Sequence, residues 1–215
     1  MINIIIADDH EIVREGLAQI LDKSHNIKVV GLAKDGMEAV DMCSKLNPDI
    51  IIMDIGMPVL NGIDASRQII MKNKRTKIII LSMYADDNTV MRALESGVSG
   101  FLLKNGPGKE LIEAIYAVDN RKSYLTPEVS SKMLENFQNK NTRQRNKLET
   151  LTQKEKHVLQ LIAEGYTTKE IANLLKISFH TAKTHRNHIM EKLDLHNVAD
   201  ITRYALANKL TLEKR

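Results

Sequence analysis

Ile50-Ile51-Ile52-Met53-Asp54-Ile55-Gly56-Met57-Pro58 is the stretch on which the fold turns. Its apolar run, set between Asp49 and Asp54, has no helical period and reads as a strand buried on both faces. Gly56 and Pro58 then break it into a loop. Asp54 therefore falls at the carboxyl end of a buried strand, the rim where open parallel sheets place ligands and chemistry. A lone aspartate in that position is more often a turn residue, so the reading depends on what else reaches the same rim.

Working outward, Ile2 to Ala7 is another apolar run, ending in Asp8-Asp9, and Val13, Leu17, Ile20 and Leu21 then fall on one helical face. Ile27 to Leu32 predicts a second strand and Gly36 to Leu46 a helix that stops before Pro48. After the Asp54 strand, a helix is expected from about Asn61 to Asn73, with Asn61-x-x-Asp64 resembling a capping box. Lys77 to Leu81 predicts a fourth strand ending at Ser82, and Val90, Ala93, Leu94 and Gly97 a helix face. Val98 to Leu103 predicts a fifth strand ending at Lys104, and Leu111, Ile112, Ile115 and Val118 a last helix. Strand and helix thus alternate five times, which predicts an α/β, doubly wound, five-stranded parallel sheet with helices on both faces. The common strand order for such a sheet is 2-1-3-4-5, with a crevice between strands 1 and 3. Asp8, Asp9, Asp54, Ser82 and Lys104 then converge on one rim.

That set suits one kind of chemistry. Carboxylates crowded in a crevice repel one another unless a cation lies among them, and a hard ion such as Mg²⁺ takes carboxylates, a carbonyl and waters. A carboxylate can also act as the nucleophile that forms an aspartyl phosphate. Positive charge and a hydroxyl donor then stabilise the transferring phosphoryl group; Lys104 and Ser82 supply them. Each residue alone has an ordinary reading, as a helix cap, a turn residue or a solvated lysine.

Ala7-Asp8-Asp9-His10, Met53-Asp54-Ile55-Gly56-Met57-Pro58, Leu81-Ser82 and Leu102-Leu103-Lys104 together resemble the receiver domain of a two-component response regulator, over residues 1–121. The resemblance implies that Asp54 accepts phosphate from the phosphohistidine of a sensor histidine kinase. It implies that Asp9, Asp54 and the Gly56 carbonyl bind Mg²⁺ with support from Asp8. It also implies that Ser82 turns toward the phosphoryl group and that Lys104 pairs with it. Phe101 takes the switch-aromatic position, often a tyrosine, and Met83 stands beside Ser82 where the family often has alanine.

Composition limits the alternatives. Of 215 residues, 43% are hydrophobic and 27% charged, a globular balance with room for two domains. The single cysteine, Cys43, rules out an internal disulfide and suits a reducing cytoplasm. No leader-like segment and no stretch of membrane-spanning length stands in the sequence, so a cytoplasmic protein with no membrane partner is expected. Formal charge is −3 over residues 1–121, +4 over 122–147 and +3 over 148–215. An acidic front and a basic back suggest a cation-handling domain joined to one that faces nucleic acid. Residues 122–147 are polar and read as a linker. Val129, Met133 and Leu134 are compatible there with a short helix from Pro127 to Phe137, and the acid-free run from Asn136 to Lys147 reads as a tether.

Residues 148–215 predict a small all-α domain. Thr152-x-x-Glu155 and Thr167-x-x-Glu170 are capping boxes, Ser178 caps a helix that runs to Leu193, and a fourth helix follows Asn197. Only Lys176-Ile177-Ser178 separates the second helix from the third, which predicts a helix-turn-helix whose second helix enters the major groove of double-stranded DNA. Lys183 and Asn187, four residues apart, share a face suited to guanine and adenine edges. Thr167 and Thr168 open the preceding helix, whose N-terminus suits a phosphate. Composition alone favours a small helical bundle with a solvated polar face.

Leu151-Thr152, Glu164-Gly165, Lys169-Glu170-Ile171-Ala172 and Ile177-Ser178 through Thr181-Ala182-Lys183-Thr184-His185 resemble the LuxR-type helix-turn-helix of NarL/FixJ response regulators. The resemblance puts Lys183, Thr184 and Asn187 at base-reading positions and gives the fourth helix to dimerisation. It implies a transcriptional regulator, not an enzyme, that binds an operator as a homodimer when phosphorylated. Two rivals stand beside it. A phosphohydrolase of the haloacid-dehalogenase type also uses Asp, Lys and Mg²⁺, but expects a second aspartate where this chain has Gly56. A regulator acting through receiver contacts alone would need no phosphate.

Overall fold

The computed structural model describes residues 1–83, 86–138, 147–208 and 210–211. The chain divides into two compact units, Met1–Lys140 and Asn141–Arg215. In the first, strand and helix alternate: β1 (Ile2–Ala7), α1 (Glu11–Asp22), β2 (Ile27–Ala33), α2 (Gly36–Leu46), β3 (Ile50–Asp54), α3 (Gly62–Lys72), β4 (Lys77–Ser82), α4 (Asp87–Glu95), β5 (Gly100–Leu103) and α5 (Gly108–Asp119). Asn61 caps α3 as its spacing predicts, its side chain accepting from the Asp64 amide at 3.0 Å.

The sheet has the order β2-β1-β3-β4-β5-β6, with every pairing parallel. Ile50 to Asp54 are all buried, as expected for a central strand covered on both faces. Ile5, Ile51, Met53 and Ile80 pack toward the α2–α3–α4 side, and Ile4, Ile6, Ile52 and Leu102 toward the α1–α5 side. The alternation follows the two-residue period of a strand.

Two expectations are corrected here. The sheet has six strands, not five, because Tyr124–Leu125 (β6) pairs with Gly100 and Phe101 of β5. Residues 122–138 consequently belong to the first unit and not to a linker. After β6, α6 (Pro127–Gln138) packs against α4, and Val129 is fully buried in the same core as Phe101. The short helix expected from Pro127 to Phe137 forms as α6, whereas β6, only two residues long, gave no periodic signal that marks it off from a polar connection. The tether expected over 136–147 falls mainly outside the described residues.

The second unit begins its regular structure with a short 3-10 turn, Lys147–Thr150, followed by α7 (Gln153–Ala163), α8 (Thr168–Leu175), α9 (Phe179–Leu193) and α10 (Val198–Ala207). Val158, Leu159, Ile171, Ala182, Ile189 and Ile201 are among its buried core residues. Both predicted capping boxes form, with Thr152 bonded reciprocally to Glu155 and Thr167 to Glu170. Glu155 also ties α7 to α9: its carboxylate is buried and accepts from Lys192 Nζ at 2.9 and 2.8 Å. Burial pushes its pKa up, but the Lys192 and Thr152 bonds prevail and hold it below the usual glutamate value.

A depressed carboxylate pKa adds stability above the unfolded value of about 4.3 and loses it as pH falls through the folded value. Glu155→Gln keeps the capping box, since glutamine serves at that position, but removes the charge. It is expected to cost the second unit about 1 kcal/mol at pH 7, a value discounted because Lys192 is partly exposed. Hydrogen exchange of core amides such as Ile189 measures the loss. The difference from the parent chain should shrink below pH 4, and a constant difference from pH 3 to 7 would show that the charge is not its source.

Candidate functional site

Register brings the polar residues of the first unit together. Ala7 lies opposite Met53, so Asp8 follows beside Asp54; Asp54 lies opposite Leu81, so Ser82 follows; Ser82 lies opposite Leu103, so Lys104 follows. Each polar residue stands at or just beyond the end of its strand, where the apolar runs stop. The Lys104 amide continues the ladder with a 2.8 Å bond to the Ser82 carbonyl.

Lys104 Nζ lies between two carboxylates, 2.5 Å from Asp8 Oδ2 and 2.9 Å from Asp54 Oδ1. The other Asp54 oxygen accepts from the Gly56 amide at 3.1 Å. Asp54 is 7% exposed. Burial pushes its pKa above the usual aspartate value; Lys104 opposes the shift, and Asp8 and Asp9 reinforce it. For Lys104, burial lowers the pKa, but Asp54 and Asp8 outweigh it and raise the value. The lysine is therefore held as a cation within the acidic group.

Asp8, Asp9 and His10 bring one potential ligand atom each within 4.8 Å of one another. Asp9 Oδ1 is shielded from solvent and accepts no hydrogen bond among the described residues. His10 Nδ1 lies 2.8 Å from it, but the ring's hydrogen-bond geometry is to Asp8 Oδ1, at 3.3 Å. A desolvated carboxylate oxygen with no donor, next to a second carboxylate, fits a hard cation. Asp54 lies outside this closest group, with Lys104 between it and Asp8.

The loop after Asp54 is tightly constrained. Val59 has φ 66, a left-handed conformation costly for a β-branched residue, and strain of about 1–3 kcal/mol persists at such sites only where the surroundings enforce it. Gly62 opens α3 against the Asp54 carbonyl, and a Cβ there would come within 1.8 Å of that oxygen. Only glycine lets the helix start that close to the carboxylate strand. Sequence reasoning missed Val59, the His10 contacts, and Arg14, whose Nη1 donates to the Asp8 carbonyl at 2.6 Å. His10 was signalled by its place beside Asp8-Asp9; the other two needed the backbone path.

Ser82 is buried, as is Phe101, which is turned wholly into the core. Met83 is exposed. A cleft of about 620 Å³, with Cys43, Asp49 and Arg75 among its lining residues, lies at the other end of β3, away from the Asp8, Asp54 and Lys104 group.

In the second unit α8 and α9 pack together, joined at Lys176, which takes a left-handed conformation at φ 53. Ser178 caps α9, accepting from the Thr181 amide at 3.0 Å. Lys183 and Asn187 are exposed on α9. Thr184 donates its hydroxyl to the His180 carbonyl at 3.0 Å, and Thr167 donates its own to Glu170 at 2.7 Å. Neither proton is free for a ligand in this arrangement, which leaves Thr168 the better placed of the two α8 threonines. α7, α8 and α10 carry Glu155, Glu170 and Asp200 in their first turns, whereas the first turn of α9 has no acid. An acid-free N-terminus keeps the helix dipole available to a polyanion.

Known proteins share both halves. The family pattern described as the response regulator receiver domain matches residues 4–116, and that of bacterial regulatory proteins of the luxR family matches residues 149–205. The oxygen regulatory protein NreC of Staphylococcus carnosus is 37% identical over 212 residues, covering 96% of this chain and 98% of its own. The transcriptional regulatory protein LiaR of Bacillus subtilis is 39% identical, covering 98% and 99%. Among solved structures, two RcsB dimers bound to two parallel DNAs give a TM-score of 0.60 at 30% identity, over 96% of this chain and 98% of that one. RcsB of Salmonella enterica serovar Typhimurium, bound to a promoter in the presence of a phosphomimetic, gives 0.61 at 29%, over 94% and 97%.

Proposed function

Because the chain belongs to the two-component response regulators that join a receiver domain to a LuxR-family DNA-binding domain, we propose that Asp54 is its phosphoacceptor. The supporting observation is the Lys104 ammonium bonded to both Asp8 and Asp54 at the carboxyl rim of the sheet. An Asp54 oxygen attacks the phosphorus of a sensor kinase's phosphohistidine, the N–P bond breaks, and the imidazole leaves. Lys104 then pairs with the phosphoryl oxygens, and Ser82 supplies a hydroxyl donor. Asp9 and Asp54, with the Gly56 carbonyl and support from Asp8, would hold Mg²⁺. When bound, the ion neutralises charge on the transferring group.

The regulator's output is DNA binding. Lys183 and Asn187 read base edges, Thr184 adds to the same face, and Thr167 and Thr168 lie at the phosphate backbone, with Thr168 the donor. Phosphorylation moves Phe101 and Ser82 between two arrangements and favours a homodimer on paired half-sites. Shifting a population from mostly off to mostly on takes about 5.5 kcal/mol of differential stabilisation, which the phosphoryl charge, its ion and dimer contacts share.

The test is binding to an operator selected from random DNA by the phosphorylated chain, compared at fixed salt with its single-base variants. Lys183→Ala should cost about 1–3 kcal/mol on the operator and relax preference at one base position. Thr168→Ala should weaken all sequences nearly alike, because phosphate contacts carry no direct sequence information. Equal losses on operator and random DNA for Lys183→Ala would make it a backbone contact. Half-sites should lie about 10 base pairs apart, and tolerance of a five-base-pair insertion would defeat the paired-dimer reading. Undiminished, regulated binding after Asp54 is replaced would favour a regulator that works without phosphate.

A further inference from the structure

One side chain at the start of the recognition helix has no part in the contacts described so far. Phe179 is the first residue of α9 and is 56% exposed. Phe101, by contrast, is fully buried, and Phe179 does not belong to the apolar core of its own unit. An exposed phenylalanine keeps a large apolar surface in water, at a free-energy cost recovered only on contact with an apolar group. Phe179, Lys183 and Asn187 follow one another at four-residue intervals, so they form a single ridge along α9, and all three are exposed. In helix-turn-helix proteins the N-terminal residues of this helix approach the base edges. No carboxylate in the first turn of α9 opposes that approach. The apolar feature of the major groove is the 5-methyl group of thymine, and phenylalanine is among the side chains that contact it.

We infer that Phe179 is a specificity-determining residue that reads a thymine methyl group in the major groove. Four helical residues span about 6 Å, so the thymine lies about two base pairs from the base read by Lys183. The inference rests on α9 being the groove-entering helix, as proposed above.

The test uses the full chain, phosphorylated with acetyl phosphate and Mg²⁺, and an operator selected from random DNA. Each thymine is replaced singly by deoxyuridine, which removes only the methyl group. For the parent chain, one replacement per half-site should weaken binding about fourfold, the factor expected for one methyl withdrawn from apolar contact. Phe179→Ser should bind the thymine operator about fourfold more weakly and be indifferent to that replacement, with an unchanged circular dichroism spectrum. Phe179→Leu should keep part of the thymine preference. The inference is overturned if no single replacement affects the parent chain, or if the replacement costs Phe179→Ser as much. It is also overturned if Phe179→Ser weakens all sequences alike, the mark of a sugar-phosphate contact. Loss of dimer with thymine dependence intact would assign Phe179 to a second copy of the chain, again overturning it. Lys183→Ala, run in parallel, separates the two readings: if it too shows no base-specific effect, the groove placement of α9 fails as a whole.

Discussion

Asp54→Asn is expected to abolish acyl-phosphate formation outright. The amide is a poor nucleophile, and it withdraws one negative charge from the proposed Mg²⁺ site. The carboxamide keeps the size of the carboxylate, and the Gly56 amide can still donate to its oxygen, so the loop should retain its shape. Asp54 is also forced to share a desolvated rim with Asp8, and removing its charge relieves that repulsion. The variant should therefore fold at least as well as the parent chain while carrying no phosphate. A phosphate-affinity gel after treatment with acetyl phosphate and Mg²⁺ reads the result directly. A shifted band in the variant would move the phosphoacceptor to another residue and defeat the site as drawn.

Lys104→Ala carries the second large effect. Its ammonium is bonded to Asp8 and Asp54 together, so it is the cation that this arrangement places between them. Once the phosphoryl group is on Asp54, the same charge is the donor available to it. Losing one such donor in a preorganised site costs roughly 3 kcal/mol, or about a hundredfold in the response to phosphorylation. Mg²⁺ should bind no more weakly, because the ion no longer competes with the ammonium for the two carboxylates. Mg²⁺ titration and phosphorylation-dependent DNA binding on the same variant separate these effects. Collapsed Mg²⁺ affinity with an intact switch would defeat the assignment of Lys104 to the phosphoryl group.

Much of this was legible in the sequence because the central strands are short, apolar and buried on both faces. Their ends are marked by the first polar residue, so Asp8, Asp54, Ser82 and Lys104 could be assigned to one rim from the alternation of strand and helix alone. The capping boxes at Thr152 and Thr167 were equally clear, since an N-cap is a local arrangement of a few residues and needs no tertiary contact to be recognised. The helix-turn-helix followed from the three residues between α8 and α9, too few to let the helices separate.

The tertiary structure decided matters that depend on residues far apart in the chain. Tyr124–Leu125 became a sixth strand only because β5 offered an unpaired edge, and α6 joined the first unit by packing on α4 and burying Val129 in the same core as Phe101. Lys104 could be placed on the rim from sequence, but only register and side-chain packing set it between Asp8 and Asp54 instead of beside one of them. Val59 is held in a left-handed conformation by the loop around it, a constraint that valine's own preferences argue against. Local patterns fix the elements and the ends at which polar residues appear. Pairing of distant edges, and the desolvation that follows from it, fixes which charges must share a site and what each of them can then do.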